Sequence, residues 1–196
     1  MNKEKEKDIP ETFTLIAADL SLKRPGYAAF EVKDKKVISL RTWNIDHKKA
    51  PSSTPHGFYL HDIDQDIRKR LKQYEKNLDN HPVYLVREKA IGGPNPDTVM
   101  TLNKVVGIID LATYDILGVE WDQVHPTTAK KVITGSGRAE KSMVADKVKE
   151  IIKDVLKIEM VDKLFKCDDE SDAAAIGLVW LIQNKIIEVP NDNTVS

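Results

Sequence analysis

Apolar residues in the first fifty positions fall into short runs separated by turn chemistry. Phe13-Thr14-Leu15-Ile16-Ala17-Ala18 is nearly continuous and stops at Asp19; the runs 26–33 and 37–44 follow, joined by Asp34-Lys35-Lys36. Short β-branched and aromatic runs bounded by turn residues predict strands, so 12–19, 26–33 and 37–44 read as a three-stranded meander. Residues 45–57 hold His47, Pro51, Ser52, Ser53, Pro55 and Gly57 and read as a loop. The period then changes. Leu60, Ile63, Ile67, Leu71, Tyr74 and Leu78 recur at helical spacing until His81-Pro82 interrupts them. Residues 83–88 read as a short buried strand ending at Glu88. The loop Gly92-Gly93-Pro94-Asn95-Pro96 precedes a helix over 97–117, apolar at Leu102, Val105, Val106, Ile109, Ala112 and Ile116 and stopped by Gly118. Residues 119–124 read as a fifth strand, 127–133 as a short helix, 134–138 as a Gly-containing loop and 139–157 as a third amphipathic helix. The last helix opens near Asp169 and carries the apolar segment 173–180.

A hairpin meander followed by strand–helix–strand units predicts an α/β fold, a five-stranded mixed sheet with helices on both faces. It is expected as a single domain over 12–188, between a charged, disordered tail at 1–11 and a polar tail at 189–196.

Composition narrows the classes. An apolar fraction of 41% in 196 residues suits one globular domain with a real core. No apolar run reaches the ~18 residues of a membrane span, and the charged N-terminus does not read as a signal peptide. No membrane partner and a cytoplasmic location are therefore expected. Cys167, the one cysteine, leaves no internal disulfide and fits a reducing compartment. The net charge of −1 does not advertise nucleic-acid binding, but residues 125–157 carry eight Lys or Arg against four acids. A local basic patch can bind phosphates while the whole molecule stays neutral; the plainer alternative for Lys147 to Lys157 is a solvated helix face.

The candidate chemistry lies in acids at unexpected places. Asp19 and Glu88 end buried-looking strands, and Asp169 and Asp172 open a buried-looking helix three residues apart, on one face. A buried carboxylate normally pairs or binds a metal. Two strand-end acids and an i, i+3 pair can converge as an all-oxygen site, which suits Mg²⁺. Taken singly, each acid has an ordinary reading: a turn Asp, a salt-bridged Glu, two acids at a helix N-terminus.

The surrounding residues carry a resemblance. Ala18-Asp19-Leu20-Ser21-Leu22-Lys23-Arg24-Pro25-Gly26-Tyr27-Ala28, the strand-end Glu88, the stretch Ala129-Lys130-Lys131-Val132-Ile133-Thr134-Gly135-Ser136-Gly137-Arg138-Ala139-Glu140-Lys141-Ser142, and Asp169-Glu170-Ser171-Asp172-Ala173-Ala174-Ala175-Ile176 stand in this order along the chain. Together they resemble the RuvC family of Holliday junction resolvases, of the ribonuclease H-like superfamily, from about Ile16 to Leu181. The resemblance implies a ribonuclease H-like fold and a structure-specific endodeoxyribonuclease of recombination and repair. It implies Asp19, Glu88, Asp169 and Asp172 as catalytic, metal-binding acids, holding two Mg²⁺ per site with Mn²⁺ able to substitute. It implies Lys130 and Lys141 as catalytic lysines at the junction. Lys130, Lys131, Arg138, Lys141 and Ile91 are the expected DNA contacts. Paired cleavage of a four-way or branched DNA implies a homodimer, with the helix from Thr98 to Leu117 as the expected interface through Val105, Val106, Ile109, Leu111 and Ile116. A helicase partner is not legible.

Two departures stand out. Leu20-Ser21 follows Asp19 where the family has Pro-Gly, and Ile91 stands where the family often has an aromatic. With the charged N-terminal extension, this divergence resembles bacteriophage members, for which the location would be the host cytoplasm. Three rival readings stand beside it. A ribonuclease H-like nuclease for RNA, flaps or other branched DNA shares the same acids. A sugar or acetate kinase-type phosphotransferase would need a second Gly-rich phosphate loop and a longer chain. A catalytically dead binding module would not keep all four acids.

Overall fold

The computed structural model describes residues 9–76, 78, 81–90, 95–159 and 161–189. Five strands form one sheet: β1 (Phe13–Asp19), β2 (Gly26–Lys33), β3 (Lys36–Asn44), β4 (Val83–Glu88) and β5 (Asp122–Val124). Their order is β3-β2-β1-β4-β5. β1–β2 and β2–β3 pair antiparallel, and β1–β4 and β4–β5 pair parallel. The sheet is mixed, as the meander and the later strand–helix–strand units predict. Central β1 is covered on both sides, which is why Phe13 to Ala18 is an unbroken buried run.

The helices are α1 (His56–Glu75), α2 (Pro96–Leu117), α3 (Pro126–Thr134), α4 (Lys141–Glu150), α5 (Val161–Leu164) and α6 (Asp168–Gln183). α1 and α2 cover one face, where Ile63, Ile67, Leu71, Val105, Ile109 and Ala112 pack on Ile16, Ala18, Tyr27 and Leu85. α3, α4 and α6 cover the other, around Leu15, Ala17, Phe30 and Val86. α6 is buried at every position from Ala173 to Leu181, so its apolar character runs all round rather than along one stripe. Its small residues let it lie close to the sheet. A side chain on Gly177 would overlap the Phe30 ring.

Three elements differ from expectation. β5 is three residues long rather than six, because Trp121 turns into the core and donates its indole N–H to Thr113 Oγ1 on α2 at 3.1 Å. The helix expected over 139–157 starts at Lys141 and widens into a π-helical turn at Ile151–Val155. Leu156 N–H bonds Ile151 O there, and the wider turn buries the adjacent Ile151 and Ile152 together. On α2, Val105 and Ile109 belong to the core of their own subunit, and Val106 and Ile116 are half-buried. Of the apolar set expected at an interface, only Leu111 is exposed. The outward face instead carries Met100, Leu111 and Tyr114. Gly118 ends α2 in the left-handed conformation, φ +66°, as its sequence position predicts. Of the tails expected at 1–11 and 189–196, residues 1–8 and 190–196 lie outside the described residues, whereas Ile9 packs against the core and Glu11 O accepts from Lys35 N–H at 2.9 Å, so the ordered chain begins earlier than expected.

Candidate active site

Parallel pairing of β1 and β4 brings their C-terminal ends side by side, Ala18 opposite Arg87. Asp19 and Glu88 follow at the same edge of the sheet. The N-terminal turn of α6 lies across this edge. Its approach depends on Gly26, which pairs with Asp19 across the β1–β2 ladder. Any side chain at Gly26 would overlap the main-chain carbonyl of Asp169. The glycine of the Pro-Gly-Tyr turn is therefore a packing requirement of α6.

The result is a cavity of about 210 Å³ lined by Asp19, Glu88, Asp172, Lys130, Lys141 and an apolar floor including Ala175 and Ile176. Three carboxylates in one partly dry cavity disfavour each other's charged form. Burial first, then Asp172, Glu88 and Asp169, push Asp19 up to about 7, against a pull downward from Lys141. Glu88 is raised by burial and by Asp172, and Lys130 and Lys141 oppose the rise. Asp172 is raised mainly by burial, although Lys141 Nζ sits 2.6 Å from its Oδ2. That contact raises Lys141 in turn.

Asp169 stands apart. It does not line the cavity, and its carboxylate is ion-paired with Arg24 Nε. Arg24 comes from the turn after β1, where its own N–H bonds Ser21 Oγ at 3.0 Å. That turn runs beside the chain after β3, through Ile45 N–H to Pro25 O and His47 N–H to Lys23 O. Among the described residues no three His, Cys, Asp or Glu side chains stand close enough to form a ready-made ion cage. The donor chemistry nevertheless fits a hard divalent cation. The cavity acids are all oxygen donors, no Cys or His lines them among the described residues, and burial together with mutual repulsion disfavours their charged forms, which a cation would offset. Lys141 and Arg24 engage two of the four acids in its place.

Lys131 and Arg138 are exposed and do not line the cavity, and Ile91 lies outside the described residues. The Gly-x-Gly loop has two separate local reasons. Gly135 ends α3 with φ +79°, which favours glycine, and a side chain on Gly137 would press within 3.3 Å of Thr127 O. Two further residues shape the site beyond those the sequence marks. Arg24 was visible only as a cation five places after Asp19. Glu170 is fully buried beside Asp169; its Oε2 accepts from Thr42 Oγ1 and from Lys166 N–H, both at 2.9 Å. Its signal was an acid amid residues that read as buried.

The family described as "Crossover junction endodeoxyribonuclease RuvC" matches residues 15–180. A RuvC of Caldanaerobacter subterraneus is 25% identical over 174 residues, 89% of this chain and 95% of that protein. A RuvC of Mycolicibacterium smegmatis is 30% identical over 149 residues, 70% of each. The structure of Thermus thermophilus RuvC superposes with a TM-score of 0.65 at 16% identity, covering 90% of this chain and 99% of that one. The same protein in complex with Holliday junction substrate gives 0.66 at 16% identity, covering 90% and 98%. The structural match establishes the ribonuclease H-like fold.

Proposed function

The chain belongs to the RuvC family of crossover junction endodeoxyribonucleases, and from that premise we propose that it resolves four-way DNA junctions by paired, symmetric, Mg²⁺-dependent cleavage at the cavity of Asp19, Glu88 and Asp172. The observation that carries this reading is the meeting of those three acids with Lys130 and Lys141 in one cavity at the C-terminal edge of β1 and β4.

Asp19, Glu88 and Asp172, with Asp169 once it leaves Arg24, would hold two divalent ions, Mg²⁺ or in its place Mn²⁺. When bound, such ions supply an activated water and neutralise charge on the leaving oxygen. The protein's own groups do the rest. Lys141, which stands 2.6 Å from Asp172 Oδ2, would meet a phosphate oxygen placed at these acids. Lys130 lies beside Glu88, close enough to lower its proton affinity. From these places two cations flank the scissile phosphate and stabilise charge as it develops there. The apolar floor under the acids keeps their field strong by excluding water.

Cleavage of a synthetic four-way junction in Mg²⁺, beside matched duplex, flap and RNA–DNA hybrid, tests the reading. Expected are nicks at symmetric positions on opposing strands of the junction and little cutting of the others. Equal cutting of flap or hybrid would instead support a general ribonuclease H-like nuclease.

A further inference from the structure

A second concavity among the described residues lies away from the active site. A cleft of about 610 Å³ lies at the outer edge of the sheet, between β3, α1 and α5. Four cations line it, Arg41, Lys69, Arg70 and Lys163, against one acid, Asp66. Two of them are committed: Arg70 Nε bonds Asp66 at 2.8 Å, and Arg41 pairs with Glu31 at 3.0 Å. Lys69, on α1, and Lys163, on α5, are exposed and carry no ion pair among the described residues. We propose that this cleft is a second DNA-backbone site, which takes the phosphates of a junction arm away from the cut; the inference rests on the function proposed above.

The chemistry of the walls selects this occupant. Of the two aromatic side chains lining the cleft, Tyr74 takes a bond from Arg41 at its hydroxyl, 3.4 Å away, and Trp43 is already stacked. Trp43 stacks on Tyr27 with centroids 5.1 Å apart, and the Arg70 guanidinium lies over the Trp43 ring at 4.5 Å. With these neighbours stacked on it, Trp43 offers no platform for a base, so the cleft reads backbone charge and not sequence. A peptide strand added to the edge of β3 is opposed by the chain already there, since Leu164 O lies 2.8 Å from Thr42 Oγ1. Unpaired exposed lysines are, by contrast, well suited to phosphates, which they neutralise with release of counterions.

Position agrees. Asp19 pairs with Gly26, and Gly26 with Asn44, so the end of β3 lies two strands from Asp19, roughly 10 Å at ordinary strand spacing. A duplex arm leading away from a phosphate at Asp19 has about one helical turn, ~34 Å, in which to pass this edge of the sheet.

The test compares four-way junctions with arms of about one and about two helical turns, using the full chain and the double variant Lys69→Glu/Lys163→Glu. Wild type should bind the long-armed junction more tightly, and the variant should lose that gain, about tenfold, with a salt dependence shallower by about two phosphates. Short-arm affinity and the single-turnover nicking rate should stay unchanged. Lys69→Gln/Lys163→Gln should show an intermediate loss. Equal long-arm affinity of variant and wild type would overturn the arm site alone. An equal loss on short arms would overturn it in favour of a diffuse basic field. Competition by inorganic phosphate without any arm-length effect would overturn it in favour of a small-anion pocket. Failure of wild type to bind either junction would overturn the proposed function and the arm site with it.

Discussion

Its own burial first, and then the charges of Asp172, Glu88 and Asp169, push Asp19 up to about 7. The sign of the consequence follows from linkage. Between its ordinary value of 3.8 and about 7, the folded protein holds a proton that the unfolded chain has released. This group therefore favours the fold at low pH and weakens it as pH rises through that window. In chelator at about pH 8, Asp19→Asn should be more stable than wild type by on the order of 2 kcal/mol, and the difference should vanish near pH 4. Mg²⁺ should reverse the order, because only the carboxylate holds the ion. Denaturant melts with and without Mg²⁺ measure both; equal stabilities at pH 8 would show that the acids do not crowd one another. The same variant should nearly abolish nicking while still binding junction DNA.

The two cavity lysines separate from their neighbour in the same way. Lys130→Ala and Lys141→Ala should each lower the nicking rate at least tenfold, about 1.4 kcal/mol, with smaller effects on binding. Lys131→Ala, at an exposed position outside the cavity, should do little. Equal losses at Lys130 and Lys131 would mean a general basic surface. At this scale the sequence exposes much of the site, since an acid that ends an apolar run is anomalous wherever it occurs. The Arg24–Asp169 pair was not legible, because it depends on the turn at 20–25 folding over the first turn of α6.

At the scale of elements, the start of α6 is the part whose position matters most. Two contacts set it: Gly26 beneath the Asp169 carbonyl, and Glu170 bonded to Thr42 and to Lys166 N–H. Glu170→Gln keeps the shape and one acceptor oxygen; Glu170→Ala leaves Thr42 and the Lys166 N–H without their carboxylate. The alanine variant should lose about 1–3 kcal/mol of stability, and it should require more Mg²⁺ for half-maximal nicking, since Asp169 and Asp172 flank it on the same helix. Glu170→Gln should restore most of the stability and the Mg²⁺ requirement. An unchanged Mg²⁺ requirement in the alanine variant, with stability lost, would reduce Glu170 to a core residue. Strand β4 and the end of α2 were readable from sequence because Glu88 and Gly118 mark chemical boundaries. The short β5 and the π-helical turn were not, because Trp121 and the Ile151-Ile152 pair are placed by what they pack against rather than by local pattern.

At the scale of the whole molecule, two equivalent strands of a four-way junction call for two active sites related by a two-fold axis, which an isologous dimer supplies. The outward face of α2 is suited to build it. Met100, Leu111 and Tyr114 are 58%, 55% and 64% exposed, and with Lys104 and Gly107 they recur at alternating four- and three-residue spacing along one side of the helix. Large apolar side chains lined up in this way would suit a partner's surface. Gly107 lies within that line, and a Cβ there would meet nothing within 4 Å in its own subunit. A partner helix can therefore approach closely at that point. Because these side chains add nothing to the core of their own subunit, Leu111→Lys with Tyr114→Glu should leave the fold and its thermal stability as a monomer intact. It should shift the solution mass from about twice 22.1 kDa to 22.1 kDa, and turn paired nicking of opposing strands into single, uncoupled nicks. Sedimentation together with strand-resolved cleavage reads both. A wild-type chain that stays monomeric with junction DNA bound, or a variant that still dimerises and cuts in pairs, would remove α2 as the interface.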